Sequence, residues 1–124
     1  MEMLSTHFSK AEFICKCGCG TLNVDPELLR KLELMRASLG GKPLSINSGC
    51  RCPSYNKRVK GAKNSEHITT DIKPCRAADI HAPLGINRYE LVRAAFELGF
   101  TGIGVDNAFI HLDIRDKNPS LWHY

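Results

Sequence analysis

The chain has 124 residues, which suits one compact domain, and a chain of this length can fold without a disulfide or a structural metal. Seventeen Lys and Arg residues against thirteen Asp and Glu residues give a formal net charge of +4, an excess too small to indicate a nucleic-acid-binding protein. No stretch reaches the roughly 18 apolar residues of a membrane span, and the N-terminus has no apolar signal region. We therefore expect a single domain over residues 1–124, monomeric and cytoplasmic as synthesised.

The first half of the chain predicts three helices and one strand. Ser9 and Glu12 have capping-box spacing, and Asp25-Pro26 has the residue types of an N-cap and a first helical position. The predicted elements are a short helix at Ser9–Glu12, a glycine- and cysteine-rich turn at 15–20, a helix from Asp25 to Leu39, a strand at 43–47 and a small helix from Pro53 to Val59.

The second half begins with a long polar segment, residues 62–76, which predicts a surface loop. The predicted elements after it are a strand at Ala77–His81, a helix at Asn87–Leu98 and two strands at Thr101–Val105 and Phe109–Ile114. The inward residues predicted for the helix are Leu91, Val92, Ala95, Phe96 and Leu98. A three-residue connection between the last two strands predicts an antiparallel hairpin. The expected fold is α+β, with helices covering a small, mostly antiparallel sheet.

Six cysteines occur as Cys15-Lys-Cys17-Gly-Cys19, Cys50-Arg-Cys52 and Cys75, without the CxxC spacing of zinc ribbons. A disulfide inside a Cys-x-Cys pair has awkward geometry, so any disulfide is expected to join separate clusters. Two interpretations stay open at this point. The cysteines form a structural thiolate metal site, or they are reduced residues that pack in the interior.

Polar residues inside apolar strands are the most informative feature of the sequence. The segment 110–114 alternates, so His111 and Asp113 share one face, and Asp79 shares a face with His81 in the same way. Burying an unpaired carboxylate is costly, so each Asp needs a cation, a metal or hydrogen-bond donors. The alternative is that each Asp pairs with a nearby Arg and each His is a hydrogen-bonded core residue.

A histidine in the polar loop, His67, completes a possible metal site. Two imidazoles and one carboxylate make a three-ligand zinc site with a position open for water, which is typical of catalytic zinc. The residues themselves leave the third ligand open among Asp79, Asp71, Asp113 and His81.

Several short motifs occur in an order that resembles a known family. They are Phe13-Ile-Cys-Lys-Cys-Gly-Cys19, Ser48-Gly-Cys-Arg51, Asn56, Val59-Lys-Gly61, Asn64-Ser65-Glu66-His67, Ala77-Ala-Asp79-Ile80, Gly102-Ile-Gly104, Phe109-Ile-His-Leu-Asp113 and Trp122. The set resembles the zinc D-alanyl-D-alanine carboxypeptidase family, in its short phage-type branch of peptidoglycan-cutting enzymes. The resemblance implies the fold shared with the hedgehog signalling domain, a bound zinc ion and cleavage of cell-wall peptides.

The resemblance also implies residue roles. His67, Asp79 and His111 match the three zinc ligands. Arg51 matches the residue that holds a substrate carboxylate, for which a guanidinium is well shaped, and Ser65 matches a nearby polar contact. The alternative role for Arg51 is an ion pair that braces its loop.

The general base is the part of the family pattern that this chain lacks. Relatives place a Glu three residues before the last ligand or a His two residues before it, and this chain has Ala108 and Phe109 there. Asp113 is the leading candidate for the catalytic role, followed by His81 and Glu66. Asp113 could instead hold the last ligand in one tautomer.

Together these observations predict a zinc-dependent hydrolase of an amide bond in peptidoglycan stem peptides, of the D-Ala-D-Ala carboxypeptidase or endopeptidase type. Its partner is expected to be a peptidoglycan peptide, with no nucleic acid involved, and its place of action the cell wall after release by another factor. The alternative is a zinc-stabilised peptidoglycan-binding module without catalysis, since the familiar Glu and His are missing.

Overall fold

The computed structural model describes residues 2–83 and 87–124 of the chain. The elements in chain order are α1 (Lys10–Phe13), α2 (Pro26–Ser38), β1 (Ile46–Ser48), α3 (Pro53–Arg58), β2 (Ala77–His81), α4 (Arg88–Glu97), β3 (Gly102–Val105), β4 (Phe109–Asp113) and β5 (Ser120–His123). Within the described part of the chain, no helix has the length and apolar character needed to span a membrane.

The helix starts follow the predicted capping residues. Ser9 precedes α1, where its backbone N–H donates to the Glu12 carboxylate at 2.9 Å and its hydroxyl accepts from the Glu12 N–H at 3.3 Å. Asp25 precedes α2 and accepts a hydrogen bond from the backbone N–H of Glu27 at 2.9 Å. These bonds satisfy donors that a helix start otherwise leaves unpaired, so the local sequence fixes where both helices begin.

The five strands form one sheet in the order β1-β2-β4-β3-β5. Neighbouring strands are antiparallel except β3 and β5, which are parallel. The predicted α+β class with a mostly antiparallel sheet is confirmed, as is the hairpin that joins β3 to β4. β5 was not predicted. After β4 the chain crosses to the far side of β3, where β5 pairs with β3 and Ser120 lies opposite Gly102.

The two faces of the sheet have different chemistry. Ile80, Ile110 and Leu112 lie in the hydrophobic core together with buried residues of α2 and α4. The alternate positions on β2 and β4 point away from this core and include Asp79 and His111. The apolar residues of the strands therefore hold the sheet against the helices, while the polar residues lie on the other side.

Two local predictions were wrong. The first strand begins at Ile46, three residues later than predicted, because Pro43 has no N–H to donate to a partner strand and β1 pairs with β2 through Ile46 and Ser48. Phe96 is 57% exposed instead of inward, and Ala94 takes a buried position on α4. The buried residues of this helix are Leu91, Ala94 and Ala95, so its bulkiest apolar side chain does not mark its buried face.

Candidate metal centre

Three buried side chains from distant parts of the chain converge on one point. Asp79 on β2 lies directly opposite His111 on β4 in the antiparallel register, and His67 reaches the same place from the loop before β2. Asp79 Oδ1 lies 3.1 Å from His67 Nε2 and 3.0 Å from His111 Nδ1. The exposed fractions of His67, Asp79 and His111 are 2%, 6% and 5%.

The second nitrogen of each imidazole determines which atom faces the centre. His67 Nδ1 lies 2.7 Å from the carbonyl oxygen of Gly49, which can only accept, so Nδ1 carries the proton. His111 Nε2 lies 2.7 Å from a carboxylate oxygen of Asp113 and donates to it in the same way. In the neutral form of each ring, the nitrogen that faces Asp79 therefore carries a lone pair.

This arrangement tests whether the three residues fit a metal ion. Two nitrogen lone pairs and a carboxylate oxygen repel one another at about 3 Å unless a proton or a cation lies among them. Burial opposes the charge on Asp79, but the two imidazoles beside it, His111 and His67, outweigh burial and lower the pKa of the carboxyl, which keeps it ionised. Burial also lowers the pKa of His67, which favours its neutral, metal-binding form. Two imidazoles and a carboxylate with converging ligand atoms are the donor set that binds zinc.

Asp113 lies behind His111 and is completely buried. One oxygen accepts from His111, and both oxygens accept from the Arg115 guanidinium, at 2.8 Å for Nε and 2.6 Å for Nη2. Although burial opposes ionisation, Arg115 and His111 together lower the pKa of this carboxyl. Both carboxylate oxygens therefore already accept hydrogen bonds, and Asp113 is not among the residues that line the open space above the centre.

The two glycines of β3 make room for the groups that surround His111. A Cβ atom on Gly102 would lie 2.1 Å from Asp113 Oδ1, and one on Gly104 would lie 2.6 Å from the indole of Trp122. The Trp122 ring, carried by β5, covers the His111 ring with 5.2 Å between the ring centres. The Gly-x-Gly spacing thus places a carboxylate and an indole against one imidazole.

Arg51 lies beside the centre and contacts Asp79 from the other side. Its Nη2 donates to Asp79 Oδ2 at 3.2 Å, its Nε to the Ser48 hydroxyl at 3.1 Å and its Nη1 to the Asn56 side chain at 3.4 Å. Three of the five N–H donors of the guanidinium are used in this way, which leaves two for another acceptor. Arg51 both braces its surroundings and lines the open space above the centre.

The three converging residues lie at the wall of a cleft of about 760 Å³. The cleft is lined by five cationic side chains, Arg51, Lys60, Lys63, Arg115 and Lys117. Among the described residues of its lining, the carboxylates are Asp79 and Glu66. The cleft therefore favours an anionic ligand, and Glu66 is its carboxylate outside the three-residue cluster.

Comparison of the sequence with known proteins identifies its family. The sequence model of the peptidase M15 family matches residues 6–113. The chain belongs to the peptidase M15 family. A zinc D-Ala-D-Ala carboxypeptidase from Streptomyces albus G is 39% identical over 96 residues, which are 74% of this chain and 35% of that protein. The chain thus spans about a third of the length of this curated relative.

The M15 match includes His67, Asp79 and His111 and ends at Asp113. The structure brings Ser65 into the same cleft, where its hydroxyl accepts from the backbone N–H of His67 at 3.1 Å. It does not bring His81 there. His81 is exposed at the end of β2 and lies beside a second cavity, so its side chain is outside the cleft of this M15 domain.

Sequence reasoning missed two groups that support the centre. The Gly49 carbonyl, which orients His67, is a backbone atom and leaves no signal in residue type. Arg115 did leave one, because it continues the alternation of His111 and Asp113 by two positions and so belongs on the same face of the chain.

Proposed function

We propose that this chain is a zinc-dependent peptidase that hydrolyses an amide bond in peptidoglycan stem peptides. The observation that carries the proposal is the convergence of His67 Nε2, His111 Nδ1 and Asp79 Oδ1 beside an open, cationic cleft. Membership of the peptidase M15 family supports the reaction class. The name of the Streptomyces albus G relative, a zinc D-Ala-D-Ala carboxypeptidase, supports both the metal and the substrate.

The zinc ion would be held by His67, Asp79 and His111, the three residues that the family resemblance matched to zinc ligands. Bound zinc supplies Lewis acidity, which makes water nucleophilic near neutral pH and polarises the scissile carbonyl. The protein contributes the orientation of the ligands. The Gly49 carbonyl fixes the tautomer of His67, and Asp113 fixes that of His111.

The cationic lining selects the substrate. A stem peptide carries free carboxylates, and the two unused N–H donors of Arg51 provide a site for one of them next to the centre. Lys60, Lys63 and Lys117 line the same cleft and add positive charge for an acidic peptide. A cleft that holds the peptide in one orientation increases the rate of nucleophilic attack on its amide carbonyl.

Glu66 is the general base in this proposal. It lines the cleft, its side chain is 16% exposed, and its ion pair with Lys117 is long, at 3.7 Å. At that distance Lys117 does not donate a close hydrogen bond to the carboxylate, which in this proposal accepts a proton from water and passes it to the leaving amine. Asp113, the leading candidate from sequence, is instead proposed as a positioning residue because its oxygens are occupied by His111 and Arg115.

The experiment is incubation of the zinc-loaded chain with purified peptidoglycan and, separately, with a short peptide that ends in D-Ala-D-Ala. Hydrolysis is measured as new amino groups and by mass spectrometry of the released fragments, and His111→Ala serves as the inactive control. We expect fragments in at least one reaction, and their masses identify the bond. Co-sedimentation with peptidoglycan and no fragments in either reaction would replace the proposal with the binding-module function.

A further inference from the structure

A second group of side chains that could bind a metal lies outside the cluster of His67, Asp79 and His111, which is called the peptidase centre below. The thiols of Cys15, Cys17, Cys19 and Cys52 approach one another so closely that their four sulfurs all lie within 4.8 Å. The Sγ atoms of Cys15 and Cys17 are 3.5 Å apart, and those of Cys17 and Cys52 are 3.8 Å apart. All six cysteines of the chain are unbridged.

The spacing of the sulfurs matches a tetrahedral metal. Zinc–sulfur bonds of about 2.3 Å in a tetrahedral Cys₄ site place the sulfurs about 3.8 Å from one another. A disulfide requires sulfurs about 2.05 Å apart and links two cysteines only, so it does not account for four thiols at one point. We propose that Cys15, Cys17, Cys19 and Cys52 bind a second, structural zinc ion.

The backbone around the four cysteines is shaped for this task. Gly18 and Gly20 both have positive φ, near +85°, which turns the chain between and after the ligands so that three thiols from five residues face one point. The backbone N–H of Cys52 donates to the Cys15 sulfur at 3.4 Å, and the N–H of Tyr55 donates to the Cys52 sulfur at 3.4 Å. Such donors stabilise thiolates and fix the orientation of metal ligands.

The other two cysteines have different surroundings. Cys75 is buried and its thiol donates to the Ala77 carbonyl at 3.1 Å, and Cys50 is buried beside Asn23. They are packing cysteines in the interior. The two interpretations that the sequence left open therefore apply to different residues of the same chain.

A metal at this point would join two segments that are far apart in sequence. The turn at 15–20 follows α1, whereas Cys52 caps α3 and directly follows Arg51. The same two segments are also in contact through the backbone N–H of Cys50, which donates to the Phe13 carbonyl at 2.9 Å. The second ion would thus hold the turn at 15–20 against the segment around residues 49–52. That segment provides the Gly49 carbonyl and Arg51, which lie at the His67–Asp79–His111 cluster.

The test is metal content and cobalt spectroscopy of the full chain, purified with its thiols reduced. The His67→Ala variant should retain one zinc ion per chain, and cobalt(II) in its place should give the intense near-ultraviolet absorption of sulfur-to-cobalt charge transfer. Cys17→Ser and Cys19→Ser, made in the same His67→Ala background, should lose that absorption and most of the bound metal. Cys75→Ala in this background is the matched control and should keep both.

Because the signal comes from sulfur, it does not depend on whether the peptidase centre binds zinc. A folded His67→Ala chain that binds no metal would overturn the proposal, as would a full charge-transfer band in Cys17→Ser. If a cysteine variant does not fold by circular dichroism, the cobalt spectrum of His67→Ala decides the question.

Discussion

Two carboxylates near His67 and His111, the proposed metal ligands, differ in their surroundings, and the proposed function gives them different tasks. Asp113 is completely buried and holds His111 and Arg115, whereas the Glu66 side chain is 16% exposed and borders the cleft. A base has to reach a water molecule and change its protonation state, which a buried carboxylate paired with a guanidinium does poorly. Amide substitutions at the two positions therefore have different expected effects.

Asp113→Asn should weaken zinc binding by about 10- to 100-fold, because the amide can no longer hold His111 as strongly in the required tautomer. Activity measured with excess zinc should recover most of the wild-type rate. Zinc affinity by competition with a fluorescent chelator and kcat at saturating zinc check this. Asp116→Asn, whose carboxylate is on the neighbouring exposed segment, is the matched control. Unchanged zinc affinity together with a lost rate would return Asp113 to the role of base.

Glu66→Gln should lower kcat by about 10²–10⁴, the usual contribution of a general base, while the bound zinc stays at the wild-type level. The measurement is steady-state hydrolysis of a D-Ala-D-Ala peptide, with zinc determined on the same samples. Glu97→Gln, on the exposed end of α4, controls for the loss of one negative charge. A Glu66→Gln enzyme with wild-type kcat would mean that the base is another group.

Arg51→Lys should raise KM by about 10- to 100-fold, since a charged hydrogen bond to the substrate carboxylate contributes about 1.5–3 kcal/mol and an ammonium lacks the guanidinium fork. Zinc content at saturating metal should not change. Arg58→Lys, at the end of α3, is the control, because it makes the same substitution without a change of charge outside the cleft lining. If KM in Arg51→Lys equals the wild-type value, Arg51 only braces Asp79 and its loop.

At the scale of an element, β3 shows how a strand without large side chains builds a site on its neighbours. Gly102 lies opposite Asp113 and Gly104 lies opposite His111 in the antiparallel register. The space above the two glycines is filled by the Asp113 carboxylate and the Trp122 indole. Alanine at either position would need one of these groups to move.

Gly102→Ala should destabilise the protein by about 1–3 kcal/mol, as expected for an extra methyl group in a filled interior, and should also weaken zinc binding because Asp113 is displaced from His111. Urea unfolding and zinc competition measure the two effects. Gly40→Ala is the control, since its Cβ would meet nothing within 4 Å and only its positive φ opposes the substitution. We expect Gly40→Ala to cost stability and to leave zinc affinity intact. Wild-type zinc affinity in Gly102→Ala would show that the Asp113 position is not critical.

For the whole molecule, local sequence patterns predicted the helices and strands better than the tertiary contacts between them. Ser9 and Asp25 capped the predicted helices, and the alternation in 110–114 predicted the shared face of His111 and Asp113. The pairing of β2 with β4, which sets Asp79 opposite His111, joins residues 32 positions apart and leaves no local signature. From the residues themselves the third ligand therefore stayed open, and the family resemblance selected Asp79.

Features that depend on tertiary contacts were also not predicted from the sequence. β5 is short and largely exposed, so its residues lack the apolar pattern that marks a buried strand. His81 shares the alternation of Asp79, yet it lies at the exposed end of β2, and exposure depends on what covers a strand. The four clustered cysteines likewise come together only when the turn at 15–20 lies against Cys52, which is far away in sequence.

All the activity predictions above depend on a zinc ion held by His67, Asp79 and His111. The most direct test is a crystal structure of the zinc-saturated chain with diffraction data collected on both sides of the zinc absorption edge. We predict an anomalous difference peak within about 2.0–2.2 Å of His67 Nε2, His111 Nδ1 and an oxygen of Asp79. The absence of a peak among these three side chains in the zinc-saturated crystal, or a peak there bound by other residues, would show that they are not the zinc ligands.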